Sequence, residues 1–290
     1  MIPNKAILLS VCIVAMTIAT SYAFARNIFG EDNRKIIVNS TAPYTMIGRL
    51  LIEPGSGQNS FCTGSLIGPD LVLTNAHCAV KVVESNGRGQ ITFFAGYSRG
   101  SWLEKSKVQN VIGGFQRNAI GVIFDQNNDW AILTLREPIG KKLGWFTIAP
   151  STDVPKTLWE SVKEYVGLSV PPNYSVTLAG YSGDREDGQV LSVHENCDIT
   201  KIEASVVRHN CDMTPGASGS PMFRKLPDGR FEIVTLNSAQ LEPISPNPQL
   251  APIVLPSYSH RFANLAQNTK LFYNRARQSL RESLERNREK

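Results

Sequence analysis

Long apolar runs are nearly missing from this chain of 290 residues. The one that stands out covers residues 6–20, follows Lys5 and holds no charge. It is short for the ~30 Å of hydrocarbon that a membrane helix must cross. Ala23-Phe24-Ala25 then places small residues at the two positions that signal peptidase reads. A charged start, an apolar stretch and an A-x-A site in that order form a secretory signal rather than an anchor. Residues 1–25 are therefore expected to be removed, and the mature chain to be secreted, extracellular or periplasmic, with no stable membrane insertion. Charge of one sign is also scarce. The formal net charge is +5, too mild to point to nucleic acid or an anionic membrane surface. Repeats and low-complexity tracts are absent, and with 42% hydrophobic and 19% charged residues disorder is excluded.

Cysteine is sparse as well, with five in the whole chain and none at C-x-x-C spacing, which argues against a zinc site. Cys12 leaves with the signal. Cys62, Cys78, Cys197 and Cys211 remain, an even set suited to an oxidising compartment. Four cysteines allow three pairings. Joining sequence neighbours, Cys62 to Cys78 and Cys197 to Cys211, would close two short loops worth up to ~3 kcal/mol each in the chain-entropy model. The string Gly216-Ala217-Ser218-Gly219-Ser220 is not G-x-S-x-G, so it is not expected to form a nucleophile elbow of the α/β-hydrolase kind.

What is present is a texture of short apolar runs rich in β-branched and aromatic residues. They cover residues 44–52, 66–74, 91–96, 130–135, 175–180, 189–193 and 231–236, and Gly, Pro, Asn and Asp bound them. This predicts an all-β sandwich or barrel. Pro138 and two glycines mark a seam over residues 137–144, dividing the strands into a first half, 36–140, and a second, 141–258. The polar residues 26–35 are expected to belong to neither half, as a propeptide or an extended N-terminal segment. Phe262, Leu265, Ala266, Thr269, Phe272, Ala276, Leu280 and Leu284 recur at helical spacing, which predicts a helix over 260–284. Residues 259–290 then read as a C-terminal helix that ends in a solvated tail of alternating Arg and Glu.

Three segments carry the residues of an acyl-transfer site. His77 lies in Thr74-Asn75-Ala76-His77-Cys78, Asp129 opens the apolar run Trp130-Ala131-Ile132-Leu133, and Ser218 lies in Thr214-Pro215-Gly216-Ala217-Ser218-Gly219-Ser220-Pro221. A serine hydroxyl needs a base within hydrogen-bond reach. An imidazole suits that task, because its pKa lies near the working pH. An acid on the far ring nitrogen fixes the tautomer and stabilises the imidazolium. The N–H groups of Gly216 and Ser218 can face a developing oxyanion.

Together these strings resemble the chymotrypsin-like serine peptidases. Thr74-Asn75-Ala76-His77-Cys78 is similar to that family's histidine motif, Cys62-Thr63-Gly64-Ser65-Leu66-Ile67 to the strand before it, and Asp129-Trp130-Ala131 to its acid strand. Gly216-Ala217-Ser218-Gly219-Ser220-Pro221 looks like the nucleophile loop, with a Gly-Ser-Pro ending that points to the bacterial glutamyl-endopeptidase branch. The likeness covers about residues 31–240. It implies two six-stranded antiparallel β-barrels with the triad His77, Asp129 and Ser218 in the cleft between them. It also implies an oxyanion hole of Gly216 and Ser218, polypeptide substrates, a monomer, and neither metal nor organic cofactor. The expected activity is a serine endopeptidase working through an acyl-enzyme, the alternative being an inactive protease-like binding protein.

Two departures qualify the likeness. Ala217 stands where trypsins have an acid that holds the freed N-terminal amine, so that route of activation is not expected. Asn237 stands where the glutamyl branch has a substrate-binding histidine. Asp212, beside Met213, falls where trypsins place the acid that binds Arg or Lys. Gln240 is placed to narrow the pocket, and Ser238 to hydrogen-bond Asp129.

Overall fold

The computed structural model describes residues 28–38, 41–118, 121–124, 128–151, 174–240 and 264–288. The signal expected over 1–25 lies outside them. The chain opens with a short strand, β1 (Lys35–Ile37). The first barrel follows: β2 (Ile47–Glu53), β3 (Ser60–Leu66), β4 (Leu71–Thr74), β5 (Gln90–Ala95) and β6 (Glu104–Gly113). A small hairpin, β7 (Phe115–Asn118) and β8 (Gly121–Phe124), precedes its last strand, β9 (Ala131–Leu135). These six strands close in the order β2-β3-β4-β9-β6-β5. Leu71–Thr74 is wholly buried, because this strand carries Leu, Val and Leu between two neighbours deep in the barrel.

After the two-residue β10 (Thr147–Ile148) come β11 (Tyr174–Tyr181), β12 (Leu191–Ile202), β13 (Val206–His209), β14 (Pro221–Lys225), β15 (Phe231–Gln240) and β16 (Asn264–Asn268). The path β12-β11-β14-β15-β16-β13 returns on itself through a β12–β13 ladder, which closes a second six-stranded barrel. The expected two-barrel architecture is thus present, with one core shared across the interface and a smaller one inside the second barrel around Val176, Cys197, Val207 and Val234.

Both chain ends depart from the sequence reading. Residues 26–35 were expected to belong to neither half, and the first barrel to begin at 36. Instead β1 pairs with β12 and extends the second barrel's sheet, and Arg34 is buried against that barrel. A run of charged side chains hid a segment whose polar groups find partners.

The helix expected over 260–284 starts only at Tyr273 and runs to Arg286. Asn264–Asn268 is a strand, bonded to β13 on one side and β15 on the other, so the second barrel extends past residue 258. Leu265, Ala266 and Thr269 satisfy a helical period, but two unpaired ladder edges offer each backbone group a partner, and that decides the conformation. The helix turns its small residues Ala276, Ser279 and Ser283 inward. It docks on the first barrel through Asp70, which accepts hydrogen bonds from the Ser283 hydroxyl and from Arg286, the latter at 3.2 Å. Among the described residues no helix is long and apolar enough to cross a membrane.

Candidate active site

His77 occupies the first turn of the helix Ala76–Glu84, which follows β4 directly. Asn75, fully buried just before it, donates through Nδ2 to the Asp129 carbonyl at 2.7 Å. That bond ties the helix start to the chain just before β9. Asp129, 2% exposed, takes the His77 backbone N–H on Oδ1 at 3.0 Å and faces His77 Nδ1 through Oδ2 at 2.7 Å. A carboxylate in that position keeps the ring proton on Nδ1 and leaves the lone pair on Nε2, the tautomer a general base requires.

The second barrel brings its own residues to this acid. The Ser238 hydroxyl donates to Asp129 Oδ2 at 2.5 Å, and the Ser238 carbonyl accepts from Ser218 Oγ at 3.4 Å. One residue of β15 therefore touches both the acid and the hydroxyl. The Ser218 carbonyl is held across the barrel interface by the N–H of Thr63 at 2.9 Å. Thr63 adjoins Cys62, which forms a disulfide with Cys78, the neighbour of His77. The second disulfide joins Cys197 to Cys211. Sequence neighbours are thus the pairs formed. Among the described residues the group nearest to a metal-binding set is Cys62, His77 and Cys78, and there the two sulfurs are bonded to each other.

The loop from Thr214 to Ser220 requires its glycines. Gly216 has φ +99°, and a Cβ there would come within 2.3 Å of the Phe61 ring. Gly219 has φ +81°, and a Cβ there would come within 2.3 Å of the Thr63 carbonyl. Only glycine tolerates both the backbone angle and the contact. Among the described residues no hydrogen bond engages the N–H of Gly216 or of Ser218.

Residues 62–231 match the model of the trypsin-like peptidase domain. The chain belongs to this family. Among curated relatives, the glutamyl endopeptidase of Bacillus licheniformis is 28% identical over 204 residues, which are 69% of this chain and 55% of that protein. Serine protease 23 of Homo sapiens is 24% identical over 227 residues, 69% of this chain and 51% of that protein. The chain spans about half the length of the curated relatives it matches. Among solved structures, a Glu endopeptidase in complex with MPD superposes with a TM-score of 0.60 at 20% identity, covering 87% of this chain and 98% of that one. Protease Anisep from Arthrobacter nicotinovorans gives 0.52 at 15% identity, covering 84% and 99%. These two likenesses concern the fold.

In this trypsin-like peptidase domain the residues expected to line a substrate pocket are placed differently from the triad set. Asp212 has no exposure at all. Its carboxylate accepts the N–H of Phe29 at 2.9 Å and of Asn33 at 3.0 Å, so its oxygens meet the chain's own backbone. Its N–H donates to His194 Nδ1 at 2.8 Å. Burial raises the Asp212 carboxyl above its ordinary range, against the lowering pull of the two N–H groups. Met213 is buried beside it. Asn237 is also buried and donates through Nδ2 to the Ala217 carbonyl at 2.7 Å, so it props the nucleophile loop from behind. The side chain of Gln240 lies outside the described residues.

Several contributors were not legible in the sequence. Gln267 of β16 accepts the Asp129 N–H at 3.1 Å. Arg34 forms a double ion pair with Asp32 at 2.8 Å and Asp184 at 2.6 Å. His209, with no exposure, sits beside Asn237, and burial pushes its imidazole down to about 3. No spacing signals these residues, because Asp129, Asp184 and Asn237, which they meet, lie far from them in sequence.

Proposed function

We propose that this domain is a secreted serine endopeptidase. Ser218 Oγ attacks the scissile carbonyl carbon while His77 Nε2 takes its proton. The carbonyl oxygen becomes an oxyanion facing the N–H groups of Gly216 and Ser218. Collapse of the tetrahedral adduct breaks the C–N bond, and His77 returns the proton to the departing amine. A water then repeats the sequence on the acyl-enzyme, with His77 again as base. Asp129 orients His77 throughout, and no metal or organic cofactor enters. The observation that carries this reading is Ser238, whose hydroxyl meets Asp129 and whose carbonyl meets Ser218 Oγ.

Substrates are polypeptides, and cleavage after Arg or Lys is not expected. An acid that reads a basic side chain must present its oxygens to the pocket, whereas those of Asp212 are taken by Phe29 and Asn33. The two disulfides and the N-terminal sequence pattern support an extracytoplasmic location, and a monomer is expected.

The test is labelling by a fluorophosphonate, compared between wild type and Ser218→Ala, followed by digestion of a mixed peptide library. Equal labelling of the two proteins refutes the mechanism. Cleavage mainly after Arg or Lys refutes the assignment of Asp212.

A further inference from the structure

The loop that would carry the oxyanion donors needs an outside anchor. Ala217, the residue before the nucleophile, is buried and apolar, so it supplies no side-chain bond. The loop is gripped instead at successive residues. The Asp212 carboxylate binds the backbone of Phe29 and Asn33. The Thr214 hydroxyl donates to Asp184 at 2.5 Å. The Pro215 carbonyl accepts from the N–H of Gly183, the neighbour of Asp184, at 2.7 Å. The Gly216 carbonyl accepts from the Thr63 hydroxyl at 3.1 Å.

Asp184 is central to this set, and Arg34 fixes it. The Arg34 side chain is 1% exposed and lays its fork on Asp184 at 3.0 and 2.6 Å. It also reaches Thr214 Oγ1 at 3.5 Å. Its other edge is held by Asp32 at 2.9 and 2.8 Å, and Asp32 in turn meets Arg185 at 2.5 Å. A buried guanidinium with two carboxylates is costly to assemble and costly to break on one side, so it selects one geometry rather than adding much stability.

We propose that Arg34 is a positioning residue for catalysis: by clamping Asp184 against Thr214 it holds the loop 212–218 in the conformation that points the Gly216 and Ser218 N–H groups at the oxyanion. The inference rests on the proposed peptidase function and adds a requirement to it. The N-terminal segment 28–34 is then a working part of the active site, acting through the loop 212–218. Without the clamp the loop samples other conformations, and the fraction of competent enzyme falls. Oxyanion donors act in the transition state, so the loss appears in kcat and leaves KM nearly unchanged.

The experiment compares full-length wild type, Arg34→Met, Arg34→Lys and Thr214→Val. It measures the second-order rate of fluorophosphonate labelling, kcat and KM on a peptide substrate, and Tm. Arg34→Met is expected to label and turn over roughly 10- to 100-fold more slowly at a KM within about threefold, since one oxyanion donor accounts for about 10²–10³ in kcat. Lysine restores only part of the rate, because it carries the charge without the fork. If Arg34→Met does not fold, Thr214→Val decides the matter, because it removes one hydroxyl of the clamp and leaves the ion pairs in place. A folded variant with lower Tm but wild-type kcat and labelling rate makes the clamp merely structural and overturns the proposal, as does a loss confined to KM. If wild type labels no better than Ser218→Ala, the peptidase reading itself fails, and the inference falls with it.

Discussion

The backbone N–H of Asp129 is held by the side-chain carbonyl of Gln267, 138 residues further along the chain, at 3.1 Å. The acid belongs to the first barrel and the glutamine to the last strand of the second. The orientation of Asp129 thus depends on a segment remote from it in sequence. Gln267→Leu leaves that buried N–H without its partner, at a cost of about 1–3 kcal/mol. The expected outcome is a lower Tm together with a roughly tenfold fall in kcat/KM, read from a thermal melt and steady-state kinetics on the same preparation.

Ser238→Ala removes the hydroxyl that donates to Asp129 and keeps the backbone carbonyl that meets Ser218. Hydrogen bonds to charged groups contribute about 1.5–3 kcal/mol, so kcat/KM should fall roughly 10- to 100-fold at neutral pH. Tm should fall as well, because the bond removed is buried. A variant with wild-type kcat/KM would show that Asp129 is oriented well enough by its other partners, His77 and Gln267.

Buried His209 makes stability depend on pH. In the folded protein its pKa is about 3, against an ordinary value of 6.5, chiefly because burial opposes the charged ring. As pH falls, the unfolded chain therefore takes up this proton first. The stability present above pH 6.5 is lost progressively between 6.5 and about 3, by up to ~1.4 kcal/mol per pH unit. Urea midpoints at pH 7 and pH 4.5 should separate more widely for wild type than for His209→Leu, where this proton is missing.

The Cys197–Cys211 bridge closes a loop with a sequence separation of 14. In the chain-entropy model, replacing both cysteines by serine costs about 3 kcal/mol. Because Cys211 precedes Asp212 directly, the variant should also protect Phe29 and Asn33 less against amide hydrogen exchange. An unchanged urea midpoint would show that the ladder β12–β13 holds this corner unaided.

The parts of the fold that were legible in the sequence are those set by local signals. Alternating β-branched runs and turn residues marked the strands. The strings around His77, Asp129 and Ser218 marked the candidate site, because a helix start, a strand start and a glycine-bound turn each have a local composition. Ser238 was also anticipated at Asp129. What escaped depends on partners far away in sequence. Asn264–Asn268 carries a helical period and is a strand only because β13 and β15 leave edges open on both sides of it. Asp212 reads as a pocket acid in the sequence, and only the fold shows the backbone N–H groups of Phe29 and Asn33 on its oxygens. Arg34 sat in a polar stretch with nothing to mark it as buried.

The stretch 264–286 has a consequence for how much of the chain a working site requires. Asn264–Asn268 completes the second barrel, Gln267 holds the acid, and the helix Tyr273–Arg286 docks on Asp70 of the first barrel. All six strands of the first barrel lie before residue 136, yet the sixth strand of the second barrel and the backbone partner of Asp129 come only with these residues. A chain cut before residue 264 would lose both that closing strand and the backbone contact to Asp129, and is expected to give neither fluorophosphonate labelling nor turnover.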